Sequence, residues 1–318
     1  MSELLEHAYE VVVVGGGAAG LNGALMLARS RRSVLVIDAG QPRNAPADGV
    51  HGLLARDGMP PRELVERGRR EVRHYGGQVI TGEVVGATRN ATAFDIALAD
   101  GRHVAAGRLL ITTGLVDELP DVPGLRERWG RDVVHCPYCH GWEVRDQPIG
   151  VLATGAASLH HALLFRQLTD DLMFFQDTQP DLPEEQAEQL AARGITLVTG
   201  AVDGLEIKDD KIEGVRLASG TVIPRAVVAV ASRMVARAGF LTDLGLEPVP
   251  HASGMGEHIP ADPAGRTAVP GVWVAGNVTD LSAQVGSAAA AGALAGAQIN
   301  ADLVAEETRR AVEAWRSA

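Results

Sequence analysis

Cysteine is nearly absent from this chain. Two occur among 318 residues, and both lie in one hexapeptide, HCPYCH at 135–140. So small a number excludes a disulfide scaffold and suits a reducing compartment, where paired thiols serve redox chemistry or a metal. Basic charge is also short: 29 Lys and Arg stand against 40 Asp and Glu, a formal charge of −11. A surface of that sign repels phosphate backbones and anionic headgroups, so neither nucleic acid nor a membrane is expected as a partner. Long apolar runs are missing too. The most extended stretch, AQVGSAAAAGALAGAQI, is alanine and glycine and too weakly hydrophobic to span a bilayer. The opening MSELLEHAYEVVVVGGG is acidic and runs straight into a strand, unlike a secretion signal. A cytoplasmic protein is the expectation.

Hydrophobic residues make up 46%, enough for the cores of two ordinary domains. EVVVVGGGAAGLNGALMLARSRRSVLVIDAG reads as strand, glycine turn, helix, strand, with Val11 to Val14 a buried parallel strand and Leu21, Leu25 and Ala28 at helical spacing. A short antiparallel excursion follows, broken at Asn90 and Asp100-Gly101. The second half repeats the plan, from QPIGVLATGAASLHHALLFRQLTDDLMFFQD to the meander AVDGLEIKDD, KIEGVRLASG and TVIPRAVVAVAS. From about Leu244, GRTAVPGVWVAGNVTD and a long Ala/Gly-rich helix have no counterpart in the second unit and are placed back on the first. The expected fold is α/β: two dinucleotide-binding, Rossmann-like domains of three-layer ββα build, the second inserted in the first. The domains are expected at 1–116 with 243–318, and at 117–242, with linkers near GLVDELPDVPGL and ARAGFLTDLGLEP.

Gly15-x-Gly17-x-x-Gly20 falls between the first strand and helix, and Asp38 ends the next strand. Such glycines let a pyrophosphate approach the helix amides and the positive end of its dipole, and an acid at Asp38 suits ribose hydroxyls. The pattern does not separate FAD from NAD.

In HCPYCH the CxxC spacing is that of a reversible disulfide. A zinc site needs four ligands, no second CxxC exists, and His135 and His140 are too close in sequence to complete a tetrahedron, so no metal is expected. Inert core thiols are the bland alternative. Tyr138 and Trp142 either line a pocket for a small flat substrate or pack on a cofactor. His51 either approaches the bound dinucleotide or is a solvated loop residue. His160 and His161 point to different helix faces and cannot chelate together, one of them facing the domain surface or a dimer partner. His251 and His258 flank a glycine loop that is either a lid or plain surface.

LLITTG (Leu109 to Gly114) followed by LPDVPG, and GVWVAGNV (Gly271 to Val278) followed by a helix, resemble the two-dinucleotide-domain flavoprotein disulfide reductases. Length, inserted domain and CxxC resemble the low-molecular-weight thioredoxin reductases, and the likeness covers essentially the whole chain. It implies FAD held by Gly15, Gly17, Ala19, Gly20, Asp38, Ala39, Gly40, Arg43, Asn44, Val84, Thr113, Gly114, Gly276, Asn277, Gln284 and Val285. The helix entered at Gln284 and Val285 would turn its amide end to the flavin edge that gains negative charge on reduction. Asn277 departs from the family's Asp. The resemblance also implies a homodimer, with Cys139 facing the flavin and Cys136 exchanging with substrate.

Two departures redirect the function. The second nucleotide turn reads ATGAAS (Ala153 to Ser158), its first glycine lost, and FFQDTQPDLPEE places Asp177, Asp181, Glu184 and Glu185 where thioredoxin reductases grip the NADPH 2′-phosphate with basic residues. Arg166 and Arg193 are the remaining cations that could serve. His140 stands where those reductases carry an aspartate, and HCPYCHG is similar to the dithiol oxidases that close disulfides in holomycin- and gliotoxin-type natural products. That likeness implies a small-molecule dithiol substrate and O2 as acceptor. Lowering a thiol pKa from ~8.5 to ~6.5 raises its thiolate about 25-fold at pH 7, and lost nucleophilicity takes back roughly 8-fold. Proton acceptance by His140 therefore outweighs thiolate stabilisation. His135 either orients the site or lies on the surface. A disulfide reductase fed by NADPH or a protein donor, and a non-catalytic redox sensor, are the other readings.

Overall fold

The computed structural model describes residues 6–91, 93–155 and 157–318. Thr92 and Ala156, the latter within the second nucleotide turn, lie outside the described residues. Two compact units emerge, the first made of Met1–Ala45, Pro60–Val116 and Met234–Ala318, the second of Pro46–Met59 and Asp117–Arg233. Among the described residues no helix is long and apolar enough to cross a membrane.

In the first unit β1 (Ala8–Val14), α1 (Ala18–Arg29), β2 (Val34–Asp38), α2 (Pro61–His74) and β3 (Gln78–Thr81) form the parallel half of the fold. The antiparallel excursion is β4 (Val84–Arg89), β5 (Phe94–Leu98) and the first part of β6 (His103–Ile111). The sheet order is β3-β2-β1-β6-β5-β4. Strand β6 has two partners along its length: His103–Ala106 pair antiparallel with β5, and Leu109–Ile111 pair parallel with the strand Val272–Val274. That parallel pairing returns the chain's last third to this unit.

Alternation along β1 divides the core into two layers, because successive side chains leave opposite faces of a strand. Val12 and Val14 join Leu35, Ile37, Leu109, Ile111, Val272 and Val274 on the meander side. Val11 and Val13 join Val34, Val36, Leu110 and Trp273 under α1 and the long helix Val285–Ser317. The Ala/Gly composition of that helix follows from how closely it lies on α1. A Cβ on Gly292 would fall 1.9 Å from the Ala19 carbonyl oxygen, and one on Gly296 would fall 2.6 Å from that of Gly23.

The second unit repeats the plan. Five parallel strands run in the order Thr196–Val198, Leu172–Phe175, Ile149–Leu152, Val227–Val230, Val133–Val134. A three-stranded antiparallel sheet of Val202–Lys208, Lys211–Leu217 and Val222–Pro224 stands beside them. The chain returns to the first unit at Met234, ahead of the 243 boundary expected from sequence, because Ala236, Ala238 and Leu241 are buried in the first unit's core. The excursion Pro46–Met59 belongs to the second unit, with Pro46 against Gly130.

Candidate active site

In the first unit the glycines of the opening motif divide into two kinds. Gly15 has φ +104°, and a Cβ there would sit 2.5 Å from the Thr112 carbonyl oxygen; one on Gly20 would sit 1.9 Å from that of Gly15. Those two let the chain pack on itself. Gly17 has nothing within 4 Å of its absent Cβ, so its side is open to a ligand. It is also the N-cap of α1 and makes no side-chain cap, so the first-turn amides remain for an anion.

Around this turn, Asp38 accepts the Gly16 N–H at 3.1 Å through Oδ1 and the Arg69 guanidinium at 2.5 Å through Oδ2. Arg69 was missed in the sequence reading, since nothing local to α2 signals a partner on β2. Gly276, at φ +75°, lies against Ala19, with only 3.0 Å between its absent Cβ and the Ala19 methyl. Asn277 donates through Nδ2 to the carbonyls of Asp280 and Ala283 at 3.0 and 2.9 Å, which shapes the turn into the long helix. Gln284 is that helix's N-cap without a side-chain cap, so a second set of open amides begins at Val285. Thr113 donates to the Arg237 carbonyl at 2.6 Å, and Gly114 adopts φ +70° with open space beside it, as does Gly40 at +77°. Ala39, Arg43 and Asn44 lie along the segment after β2, and Val84 opens β4 opposite Leu98. Two uncapped helix starts, an open glycine face and an anchored Asp38 suit a dinucleotide.

In the second unit, strand Val133–Val134 leads into the short helix Pro137–His140, whose N-cap is Cys136. The amides of Cys139 and His140 both donate to the Cys136 carbonyl, at 3.2 and 3.1 Å. One helical turn thus brings Cys136 and Cys139 to the same side, both half-buried. Gly141 is forced by crowding, since a Cβ would meet the Pro137 oxygen at 2.1 Å. Tyr138 and Trp142 are each 67% exposed, and Arg145 stacks over Trp142 at 4.1 Å.

His140 is half-buried, and its Nε2 is buried with no hydrogen-bond partner. Burial pushes its pKa below the ordinary histidine value, against the opposing pull of Glu143. His135 is half-buried and fixed, Nδ1–H donating to the Val230 carbonyl at 3.1 Å. The carbonyl of His135 accepts from His161 Nε2. A carbonyl cannot donate, so His161 carries its proton on Nε2 and its buried Nδ1 lacks a partner. Desolvation, with His135 adding to it, lowers His161 to about 4. His160 is exposed. The adjacent-histidine pattern could not say which of the pair turns inward.

His51 is the second residue underestimated from sequence. Its ring lies 3.5 Å from Asp57 on its own loop and 3.5 Å from Glu143, three residues after His140. His251 and His258 pack edge to face at 4.7 Å and belong to the first unit, whereas the cysteine motif belongs to the second. Among the described residues no three His, Cys, Asp or Glu side chains converge into a metal cage.

The second nucleotide turn is closed by its own side chain. Ser158 Oγ accepts the Thr154 N–H at 2.9 Å and the Gly155 N–H at 3.3 Å, and Thr154 Oγ1 donates to the Ala231 carbonyl. Beyond the next strand, Gln176 bonds Asp181 at 3.0 Å and Asp177 accepts the Val202 amide at 2.8 Å. Arg166 is engaged by Asp170 and by the carbonyls of Thr169 and Arg193.

Known proteins share this build. The crystal structure of HlmI is 45% identical, with a TM-score of 0.91 over 98% of both chains. A thioredoxin reductase TrxB from Bacillus anthracis is 30% identical, with a TM-score of 0.87 over 94% of this chain and 99% of that one. Among curated proteins, thioredoxin reductase tcpT of Claviceps purpurea is 29% identical over 93% of this chain and 95% of its own. The pyridine nucleotide-disulphide oxidoreductase family matches residues 9–296. FAD is the cofactor of this group and of this chain, and the cradle around Gly17 and Asp38 fits it. The chain is therefore a thioredoxin reductase-like flavoprotein of the pyridine nucleotide-disulphide oxidoreductase family, an enzyme of thiol/disulfide chemistry.

Proposed function

We propose that this enzyme oxidises a small-molecule dithiol to its disulfide, with O2 as final acceptor and H2O2 as second product. The observation that carries this reading is His140, an imidazole directly after Cys139 that burial holds toward its neutral form, with an unpartnered Nε2. Closing a disulfide from a dithiol releases two protons with two electrons. A neutral imidazole accepts a proton near pH 7 far better than a carboxylate of low pKa.

In this reading one substrate thiolate attacks Cys136 of the enzyme disulfide and Cys139 leaves as thiolate. The second substrate thiol then attacks the substrate sulfur of that mixed disulfide and expels Cys136, while His140 takes up a proton. FAD, when bound, would supply the two-electron acceptor through which the Cys136/Cys139 thiolates return to their disulfide and O2, with two protons, leaves as H2O2. FAD would be held by the Gly15–Gly20 turn, Asp38, Thr113, Gly114, Gly276, Asn277 and the amides after Gln284. The Ser158-closed turn and the acidic segment after Phe175 support an enzyme that does not draw on NADPH. A homodimer in the cytoplasm belongs to the same reading.

The test is flavin absorbance under argon, with NADPH and a model dithiol such as dithiothreitol added to separate samples before air is admitted. Bleaching by dithiol alone, with colour and peroxide returning in air, is the expected result. Prompt bleaching by NADPH would identify a reductase instead, and no response to any dithiol would leave a redox sensor.

A further inference from the structure

The loop Pro46–Met59 leaves the first unit's chain and folds with the second. It is a closed hairpin: the Val50 amide donates to the Met59 carbonyl, the Gly58 amide to the Val50 carbonyl, both at 2.8 Å, and the Gly52 amide to Asp57 Oδ1 at 2.9 Å. These bonds fix the backbone on both sides of His51. The ring then stands between two carboxylates, with Nδ1 at 3.5 Å from Asp57 and Nε2 at 3.5 Å from Glu143. Its side chain is 24% exposed, against 69% for Asp57 and 40% for Glu143, so the imidazole is the inner member of the trio. Gly49 makes room, since a Cβ there would come within 3.1 Å of His51 Nε2.

Glu143 stands three residues after His140, and alone it would favour a charged imidazolium there, a poor proton acceptor. We propose that His51 is a positioning residue for the dithiol site, bringing the loop Pro46–Met59 onto the CxxC segment and engaging the Glu143 carboxylate three residues after His140. The groups that face His140 are Glu143 from its own segment and His51 and Asp48 from the loop. Those facing His51 are Asp57 and Glu143. The two acids favour the charged form of His140 and His51 opposes it.

This inference rests on the proposed role of His140, and its test separates the two. The His140 ring is followed by NMR titration in the FAD-loaded full-length protein, alongside anaerobic flavin reduction by dithiothreitol at pH 6 and 8.5. Glu143→Gln is expected to move the His140 titration to lower pH, since it removes a carboxylate that favours the charged ring, and His51→Gln to higher pH, since it frees that carboxylate from its partner. Flavin reduction in His51→Gln should be about threefold slower at pH 6 and unchanged at pH 8.5, where His140 is neutral in either protein. A titration unmoved by both variants, or an equal rate loss at both pH values, overturns the role of His51. If dithiothreitol fails to reduce the flavin of the wild type, the oxidase reading falls, and the titration still decides the part played by His51.

Discussion

The Nε2–H of His161 donates to the carbonyl of His135, one residue ahead of Cys136, so a buried imidazole anchors the entry to the cysteine turn. An imidazolium would keep this bond, but burying its charge is costly, and desolvation has lowered His161 to about 4. The unfolded chain takes up this proton near pH 6.5, while the folded protein resists it until about pH 4. The contribution is therefore complete above pH 6.5 and declines as pH falls toward 4, by about 3 kcal/mol in all. Urea titrations at pH 7 and 4.5 should show the loss, and His161→Gln should flatten it.

Replacing His140 with alanine removes the proton acceptor while leaving both thiols. Flavin reduction by dithiothreitol is expected to fall about 100-fold near neutral pH. Its acid limb should disappear, because the imidazole that follows Cys139 and takes up the proton is gone. An unchanged rate and pH profile would remove His140 from the chemistry.

Glycines at two points of the flavin unit should behave in opposite ways. Gly17→Ala meets open space and should fold with near wild-type stability of the apoprotein, yet lose FAD affinity. Gly292→Ala drives a methyl into the Ala19 backbone and should cost about 2–3 kcal/mol whether or not FAD is present. Thermal unfolding of apo and FAD-loaded protein distinguishes them.

Ser158→Ala leaves the Thr154 and Gly155 amides without their acceptor. A loss of about 1–2 kcal/mol in stability is expected, with no gain of NADPH-driven bleaching, since the acids after Phe175 remain. Appearance of NADPH bleaching in this variant would mean that Ser158 alone had barred the nucleotide.

Much of this molecule is written in short-range pattern. The valine run of β1, the Gly15–Gly20 spacing, Asp38 and the CxxC are all local signals, because strand alternation, tight turns and a dithiol one helical turn apart are set by neighbouring residues. The missing glycine of the second turn and the acidic residues after Phe175 are equally local features. Sequence alone determined two dinucleotide-type halves, a glycine turn with Asp38 on the next strand and a paired thiol flanked by histidine. Tertiary structure decided what surrounds that pair. Ser158 closes the second turn from four residues beyond Thr154. Arg69 reaches Asp38 on β2 from α2. His161 rather than His160 turns inward, and His51 arrives from a loop far back in the chain. Burial and charge pairing of this kind depend on which distant segments pack together, and no periodicity in the segment itself encodes them.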